Sequence, residues 1–229
     1  MKKILFVMQS LYNGGAERSL INLLNELPKD KFDISLLLFK QEGMFLKQIP
    51  EEVRVLDTPI ALKKLFSPLR RAGRFTMVKV YGTIKSRKVE KKAPEQAAYR
   101  WQRYYSPKIP ELDKAFDIAV AYSSGEVMYY VSEKVKAKLK YVWIHNDYRT
   151  AGHPKSYDYN YLKNMDGIVS ISEKCVEMKD EVRRAGFFLL CRLSKASSLS
   201  FRLSAAFATR SCLSHCPKML FLLLRRVRG

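Results

Sequence analysis

The chain has 229 residues, of which 47% are hydrophobic and 12% aromatic, a composition that excludes a disordered polymer and is typical of a globular protein. Its formal net charge of +20 is concentrated in two segments: residues 61–108 hold 14 Lys/Arg and two acids, and residues 187–229 hold eight Lys/Arg and no acid. The remaining residues carry 20 basic and 20 acidic side chains, so the body of the protein is electrically balanced.

The first sixty residues predict a βαβ unit. Residues 3–8 form a continuous apolar run of strand length, and a glycine-containing turn follows at 13–15. Leucines then recur at helical spacing over 20–27, before a proline. A second buried strand is expected at 32–39 and a short third strand at 53–56. Strand, turn, helix and strand in this order predict a right-handed crossover and a parallel sheet.

Residues 61–108 interrupt this alternation, because their aromatic and apolar residues are mixed with Lys and Arg. We expect two helices here, and three interpretations remain open. The helices are solvated and pack on the domain, or they present a cationic, partly amphipathic surface to an anionic membrane, or they bind nucleic acid. No recognised nucleic-acid-binding module accompanies the segment, so nucleic acid is the least expected partner. The membrane interpretation assigns the contact to five basic residues: Lys63, Lys64, Arg70, Arg71 and Arg74.

The alternation resumes after residue 116. The sequence predicts, in order, a strand at 117–122, a helix at 126–138, a strand at 140–145, a short helix at 157–163, a strand at 167–171, and a helix that begins at Ser172 and reaches about residue 184. We therefore predict an α/β domain over residues 1–186, built on a doubly wound parallel sheet.

Residues 187–229 differ in character from everything before them. They contain no Asp or Glu, and neither strand nor helix periodicity persists. We interpret this segment as an aberrant basic tail, translated out of frame and disordered or poorly folded. Cys212, His215 and Cys216 lie within it, but their spacing fits no common zinc motif, so no metal site is expected.

The cysteines and the apolar runs indicate a cytoplasmic protein. Cys175 is the one cysteine before residue 187, which provides no disulfide framework. The opening apolar run ends after Met8, too early for a signal peptide. No run approaches the roughly 20 apolar residues that cross a bilayer.

Several candidate binding residues follow predicted strands, at the edge where open α/β sheets bind ligands. Gly14 and Gly15 allow a sharp turn and close approach to a ligand, and Glu17 follows them at the start of the first helix. That helix N-terminus offers unpaired N–H groups to a phosphate or a hydroxyl. The spacing is not the Gly-x-Gly-x-x-Gly dinucleotide pattern, so NAD or FAD binding is not supported.

The other candidates come from three later strand ends. His145 ends a strand and is suited to hydrogen-bond a sugar hydroxyl or to stabilise developing charge, and Asn146 follows it. Ser123 and Ser124 follow an earlier strand, and Ser172 follows a later one. A structural histidine and serines that cap helices are the alternative interpretations.

Three stretches together resemble one family. Residues 4–20 read Ile-Leu-Phe-Val-Met-Gln-Ser-Leu-Tyr-Asn-Gly-Gly-Ala-Glu-Arg-Ser-Leu, residues 143–146 read Trp-Ile-His-Asn, and residues 166–174 read Asp-Gly-Ile-Val-Ser-Ile-Ser-Glu-Lys. In order and spacing they resemble the N-terminal domain of family 4 glycosyltransferases of the GT-B fold, over about residues 1–186.

The resemblance implies a Rossmann-like domain that binds a glycan or lipid-linked acceptor, while a second domain binds a nucleotide-sugar donor. Transfer retains the anomeric configuration and needs no cofactor or metal. Gly14 and Gly15 match the family's first loop, and His145 matches a histidine beside the transferred sugar. Many members make cell-surface polysaccharides and dock on the membrane, which implies peripheral attachment to the inner face of the cell membrane.

The sequence departs from the family in one respect: the donor domain with its paired glutamates is absent, and no acid follows Glu181. We therefore expect this chain to have no transferase activity by itself. Two other hypotheses stay open. One is a different nucleotide-fold enzyme or binding module, which binds a nucleotide unaided. The other is a non-catalytic cationic module for membranes or nucleic acids.

Overall fold

The structure, a computed structural model, describes residues 1–146, 151–170 and 187–190. The strands are β1 (Lys2–Met8), β2 (Phe32–Leu38), β3 (Arg54–Val55), β4 (Ala115–Ala121), β5 (Lys136–Ile144), β6 (Gly167–Ser170) and β7 (Phe187–Leu190). All neighbouring strands pair in parallel, and the first six lie in the order β3-β2-β1-β4-β5-β6. This order is that of a Rossmann-like sheet, which confirms the predicted fold class.

Helices cover the two faces of this sheet. They are α1 (Gly15–Glu26), α2 (Ile60–Phe66), α3 (Leu69–Ala72), α4 (Thr76–Val89), α5 (Ala93–Arg100), α6 (Glu126–Lys134) and α7 (Lys155–Leu162). On one face, α1 packs its leucines against apolar side chains of β1, β2, β4 and β5. On the other face, residues of α2, α5, α6 and α7 bury a second core that is rich in aromatic rings. The strands β1, β2, β4, β5 and β6 therefore contribute apolar side chains to both cores, as buried parallel strands are expected to do.

The predicted helix at 126–138 is wrong in its last four residues. α6 ends at Lys134, and β5 begins at Lys136. The lysines at the start of β5 are exposed and pair with acids of the neighbouring chain segment: Lys138 Nζ lies 2.7 Å from Asp117 on β4, and Lys136 Nζ lies 3.1 Å from Glu111, which precedes β4. Because the first residues of β5 are charged or exposed, they lack the apolar run by which a buried strand is recognised in a sequence.

The segment 61–108 contains four α-helices where two were expected. Ser67 and Gly73, which follow α2 and α3, leave helical geometry, and Gly73 has a positive φ of 57°. After α5 the chain forms one π-helical turn at 101–105. In that turn Trp101 is fully buried, stacks on Phe39 and donates from its indole Nε1 to Glu133 on α6 at 3.2 Å. The basic segment is therefore anchored in the core of the domain.

β7 consists of the first four residues of the segment interpreted as an aberrant tail, and it extends the sheet beside β6. The rest of that segment, including Cys212, His215 and Cys216, lies outside the described residues. So does the helix expected to begin at Ser172. Among the helices that are described, none is long and apolar enough to cross a membrane.

Candidate functional site

The carboxyl edge of the sheet brings three of the predicted regions together: the start of α1, the loop after β4 and the end of β5. The backbone N–H of Tyr122 donates to Val7 of β1 at 2.9 Å. The Tyr122 hydroxyl lies 3.0 Å from Ser19 Oγ on α1, and its ring centroid is 4.7 Å from that of His145. Tyr122 therefore links α1 to His145, whereas the predicted Ser172 lies outside the described residues.

Gly14 and Gly15 do not make the sharp turn that was expected of them. Gly14 is extended, with φ −115° and ψ 161°, and Gly15 is the first residue of α1, so neither needs the left-handed region. What sets Gly14 apart is the carboxylate of Glu17. A Cβ on Gly14 would lie 1.9 Å from Glu17 Oε2, whereas a Cβ on Gly15 would meet open space.

The Glu17 carboxylate decides which ligands suit the N-terminus of α1. It complements the positive end of the helix dipole, so this end already has an anion. A phosphate brought within about 4 Å of Glu17 would meet a repulsion of roughly 1–4 kcal/mol at effective dielectric constants from water to a protein surface. A hydroxyl would instead donate a hydrogen bond to the carboxylate. The predicted phosphate or hydroxyl site is thus better suited to a hydroxyl.

His145 presents one unsatisfied nitrogen at the end of β5. Burial lowers the pKa of His145 to about 4, and a backbone hydrogen bond to Tyr122 opposes this shift only partly. Its Nε2 is buried and has no hydrogen-bond partner within residues 1–146, 151–170 and 187–190. The bond to Tyr122 therefore belongs to Nδ1, which donates to the carbonyl. The neutral ring leaves a lone pair on Nε2 as a hydrogen-bond acceptor.

Trp143 supplies the complementary group two residues earlier on the same strand. Its indole ring lies nearly parallel to the His145 ring, at an interplanar angle of 6° and a centroid distance of 6.0 Å. Trp143 is 1% exposed, and its Nε1, which is a donor only, also has no partner among the described groups. Buried polar atoms without partners are rare and require an explanation. A hydroxyl, which both donates and accepts, matches such a pair of groups.

Ser123 and Ser124 are half-buried in the loop after β4. We considered helix capping as the alternative explanation for them, and the structure contradicts it. α6 has Gly125 at its N-cap, with φ 72°, and no side chain caps it within the described residues. Neither serine therefore caps α6, and both lie at the carboxyl edge of the sheet.

Sequence reasoning missed a buried acid–histidine pair next to Asn146. His153 Nε2 lies 3.1 Å from Asn146 Oδ1, and His153 Nδ1 lies 4.0 Å from Asp158 Oδ2. Asp158 is fully buried on α7 and accepts a hydrogen bond from the hydroxyl of Tyr129. Burial lowers the pKa of His153, and Asp158 opposes that shift. The available signal was Asp158 itself, since it shares the buried face of α7 with Tyr161 and Leu162 at helical spacing.

The five basic residues predicted to face a membrane differ in their exposure. Lys63, Arg70, Arg71 and Arg74 are exposed, and the guanidinium of Arg74 lies over the Phe75 ring at 5.3 Å. Lys64 is half-buried, and its Nζ donates to the backbone carbonyl of Arg71 at 3.0 Å. Lys63, Lys64 and Arg71 line a pocket at the end of β2.

Comparison with known proteins identifies no family. No family model matches the chain, and no curated protein is significantly similar to it. Within the described residues, no group of three or more His, Cys, Asp or Glu could hold a metal ion. The chain is therefore established as a Rossmann-like parallel α/β domain.

Proposed function

We propose that this chain is the acceptor-binding half of a glycosyltransferase of the GT-B type. In this proposal the polar groups between α1 and the end of β5 bind a hydroxyl of a glycan or lipid-linked acceptor, and a second domain holds the nucleotide-sugar donor. The observation that carries the proposal is the buried, unsatisfied Nε2 of His145, whose neutral state makes it an acceptor for a hydroxyl.

The surrounding groups support a polyhydroxylated ligand. Glu17 is a second acceptor, at the start of α1, and Trp143 Nε1 is a donor. Ser123 and Ser124 hydroxyls can act in either sense. A sugar presents several adjacent hydroxyls that both donate and accept, so it can satisfy acceptors and donors at one site. A nucleotide phosphate supplies acceptors only and would be repelled by Glu17.

The residues play distinct roles in the proposed reaction. His145, neutral at physiological pH, accepts a hydrogen bond from a sugar hydroxyl and fixes its direction. It does not stabilise developing negative charge there, because its protonated form is disfavoured by burial. Catalysis by positioning also requires a donor held against the acceptor. The proposal for this chain alone is therefore acceptor binding without turnover.

Trp143 is a natural reporter of this binding. The chain has two tryptophans, so the variant Trp101→Phe leaves the indole N–H of Trp143 as a single resonance in a proton–nitrogen spectrum. Neutral oligosaccharides such as maltotriose and cellotriose are titrated against this variant, and UDP, GDP and their glucose and mannose conjugates are titrated in parallel. We expect an oligosaccharide to shift the Trp143 resonance, and free UDP and GDP to leave it unchanged.

Variants at His145 make the assignment specific. His145→Ala removes the acceptor and is expected to weaken oligosaccharide binding by roughly tenfold, the cost of about one buried hydrogen bond. His145→Gln retains an acceptor oxygen and should keep part of the affinity. Binding of UDP or GDP at Trp143 without any sugar would contradict the proposal and favour the nucleotide-binding alternative.

A second function, peripheral membrane binding, is favoured by one specific feature of α4. This helix buries Gly82 and Ser86 and exposes a stripe of large apolar side chains, with Met77 76% exposed. The α4 stripe is Met77, Val80, Tyr81 and Ile84, spaced i, i+3, i+4 and i+7 on one face. An exposed apolar face bordered by basic residues is typical of helices that lie in a membrane interface.

Vesicle sedimentation tests this second function. We expect binding to phosphatidylglycerol vesicles that weakens with salt, and little binding to phosphatidylcholine vesicles. Equally strong binding to double-stranded DNA under the same conditions would count against a membrane-specific surface, because diffuse positive charge attracts both polyanions alike. Stronger binding to DNA than to the vesicles would favour the nucleic-acid alternative.

A further inference from the structure

A pocket opens at the carboxyl ends of β2 and β3. Its volume is about 270 Å³. Lys40 follows β2, Thr58 follows β3, and Lys63, Lys64 and Arg71 come from α2 and α3. The sheet edge therefore supplies one wall, and the basic segment supplies the other.

Positive charge exceeds negative charge in this pocket, because four basic side chains and one acidic side chain line it. Lys40, Lys63 and Arg71 take part in no ion pair in the part of the chain that the structure describes. Glu42 is the one acid in the pocket wall, and its Oε2 accepts a hydrogen bond from the Tyr12 hydroxyl at 2.7 Å. This carboxylate therefore already has a hydrogen-bond partner in the β1–α1 loop.

The hydrogen bonds within the basic segment leave the excess of positive charge in place. Lys64 Nζ donates to the carbonyl of Arg71, and Lys79 Nζ donates to the carbonyl of Ser67. The acceptors of these two ammonium groups are therefore uncharged backbone oxygens. Partial burial lowers the pKa of Lys79, and the positive charge of Lys40 lowers it further. A cluster of cations that disfavour one another gains most from a multiply charged anion.

We infer that this pocket binds a phosphoryl group, as a phosphomonoester or a diphosphate. Lysine ammonium groups and an arginine guanidinium are the side chains that form short, charge-assisted hydrogen bonds to phosphate oxygens. The hydroxyl of Thr58 already donates to the carbonyl of Leu38 at 2.6 Å, so the cations provide the free donors of the pocket.

The pocket adjoins the loop that leads to α1. The Lys40 N–H donates to Gln9 O at 2.8 Å, and the Leu11 N–H donates to Glu42 O at 3.0 Å. A ligand with its phosphoryl group in this pocket would extend along the same sheet edge towards Gly14 and Glu17. The phosphoryl site stands on its own charges and geometry; identifying its ligand as a phosphorylated acceptor rests on the proposed function.

Pyrophosphate is the probe, titrated calorimetrically against the full chain at low ionic strength. The variant Lys63→Ala/Arg71→Ala removes two cations whose side chains are exposed, so it should fold normally. The matched control, Lys85→Ala/Arg87→Ala, removes the same charge from α4, outside the pocket. We expect the pocket variant to bind pyrophosphate roughly tenfold more weakly or worse, and the control to stay within about twofold of wild type.

Two results would overturn the inference. One is no measurable binding of pyrophosphate to wild type, and the other is an equal loss in both double variants, which would mean diffuse attraction instead of a site. Vesicles of phosphatidic acid distinguish the sources of the phosphoryl group. If pyrophosphate displaces the protein from them and the pocket variant binds them weakly, the ligand is a lipid phosphate.

If the pocket variant binds those vesicles as wild type does while losing pyrophosphate, the site takes a soluble phosphorylated ligand, and the inference stands in that form. The outcome is also separable from the proposed function. Failure of oligosaccharides to shift the Trp143 resonance, with pyrophosphate binding intact, would contradict the acceptor proposal and leave the phosphoryl site in place.

Discussion

The helices α1 and α4 have similar lengths and similar apolar patterns, yet they face opposite ways. α1 buries Leu20, Leu23 and Leu24 against the sheet. In α4 the large apolar residues are the exposed ones, and the buried positions are taken by Gly82 and Ser86. An apolar stripe at helical spacing therefore indicates a helix in both cases, but it indicates the core-facing side only in the first.

The neighbours of each helix explain the difference. α1 connects β1 to β2, which are parallel and adjacent, so its crossover must lie on the sheet face. α4 lies in the basic segment, where it packs on α5 and on the π-helical turn. There a Cβ on Gly82 would lie 3.1 Å from Tyr104 Cδ2. The missing side chain at Gly82 lets α4 approach Tyr104 closely, and this approach turns the α4 stripe outward.

The largest effect expected from this comparison is at Leu24. Its side chain is fully buried between α1 and the sheet, so Leu24→Ala removes apolar contacts and leaves a cavity. We expect the free energy of unfolding to fall by about 2–5 kcal/mol, measured by urea denaturation. Ile84→Ala on α4 is the matched control, with an expected change within about 0.5 kcal/mol. Similar losses in both variants would mean that the α4 stripe is covered after all.

The α1 side of the sheet should also show a distinctive response to pH, because it contains His145. The pKa of His145 is about 4 in the folded protein and about 6.5 when unfolded, so the unfolded chain binds the proton more readily between these values. The contribution of His145 to the free energy of unfolding is therefore fully present above pH 6.5. It falls by about 2–3 kcal/mol as the pH decreases towards 4.

The variant His145→Asn isolates this contribution. Burial also lowers the pKa of His153, so wild type and variant share that part of the acid sensitivity. The difference between their unfolding free energies, measured from pH 7 to pH 4, should shrink by the amount assigned to His145. A constant difference across this range would show that the ring is not buried as described.

Gly82 gives the next largest effect and sharpens the comparison on the α4 side. Gly82→Leu places a side chain where Tyr104 already lies within contact distance, and Tyr104 is itself held edge-on by Tyr81 and Tyr99. We expect a loss of about 1–3 kcal/mol from overpacking, despite the better helix propensity of leucine. Val80→Leu, on the exposed face, is the control and should be nearly neutral in the same denaturation experiment.

The central sheet was predictable from sequence, because its strands are buried on both faces and read as continuous apolar runs. Residues 3–8 and 32–39 mark β1 and β2 within one residue, and the order of elements predicts the parallel sheet. The start of β5 and the four helices within 61–108 were not predictable. Their residues are exposed, charged or packed in a second layer, so the pattern of the chain does not reveal their partners.

The candidate site, too, was predictable from the sequence only in part. Placement at a strand's carboxyl end was enough to select His145, Ser123 and Ser124, because parallel strands end at one edge. The role of Glu17 over Gly14 depends on a side-chain direction, and the His153–Asp158 pair depends on how α7 packs against Tyr129. The phosphoryl pocket likewise needed the positions of α2 and α3 relative to β2.

The smallest effect on stability is expected where the α4 stripe is made polar. In Met77→Ser/Tyr81→Ser/Ile84→Ser all three changed side chains are exposed by half or nearly so, and the unfolding free energy should fall by no more than about 1 kcal/mol in total. Binding to phosphatidylglycerol vesicles should instead weaken by tenfold or more, since each side chain that enters a bilayer interface contributes roughly 1 kcal/mol or more through buried area.

Lys85→Ala/Arg87→Ala, beside the stripe, should lower the salt-dependent part of vesicle binding and leave the apolar part. If the serine variant is as unstable as Leu24→Ala, then α4 packs its apolar side inward and the contrast with α1 is false; if it is stable and still binds vesicles fully, the stripe faces outward for some contact other than a membrane.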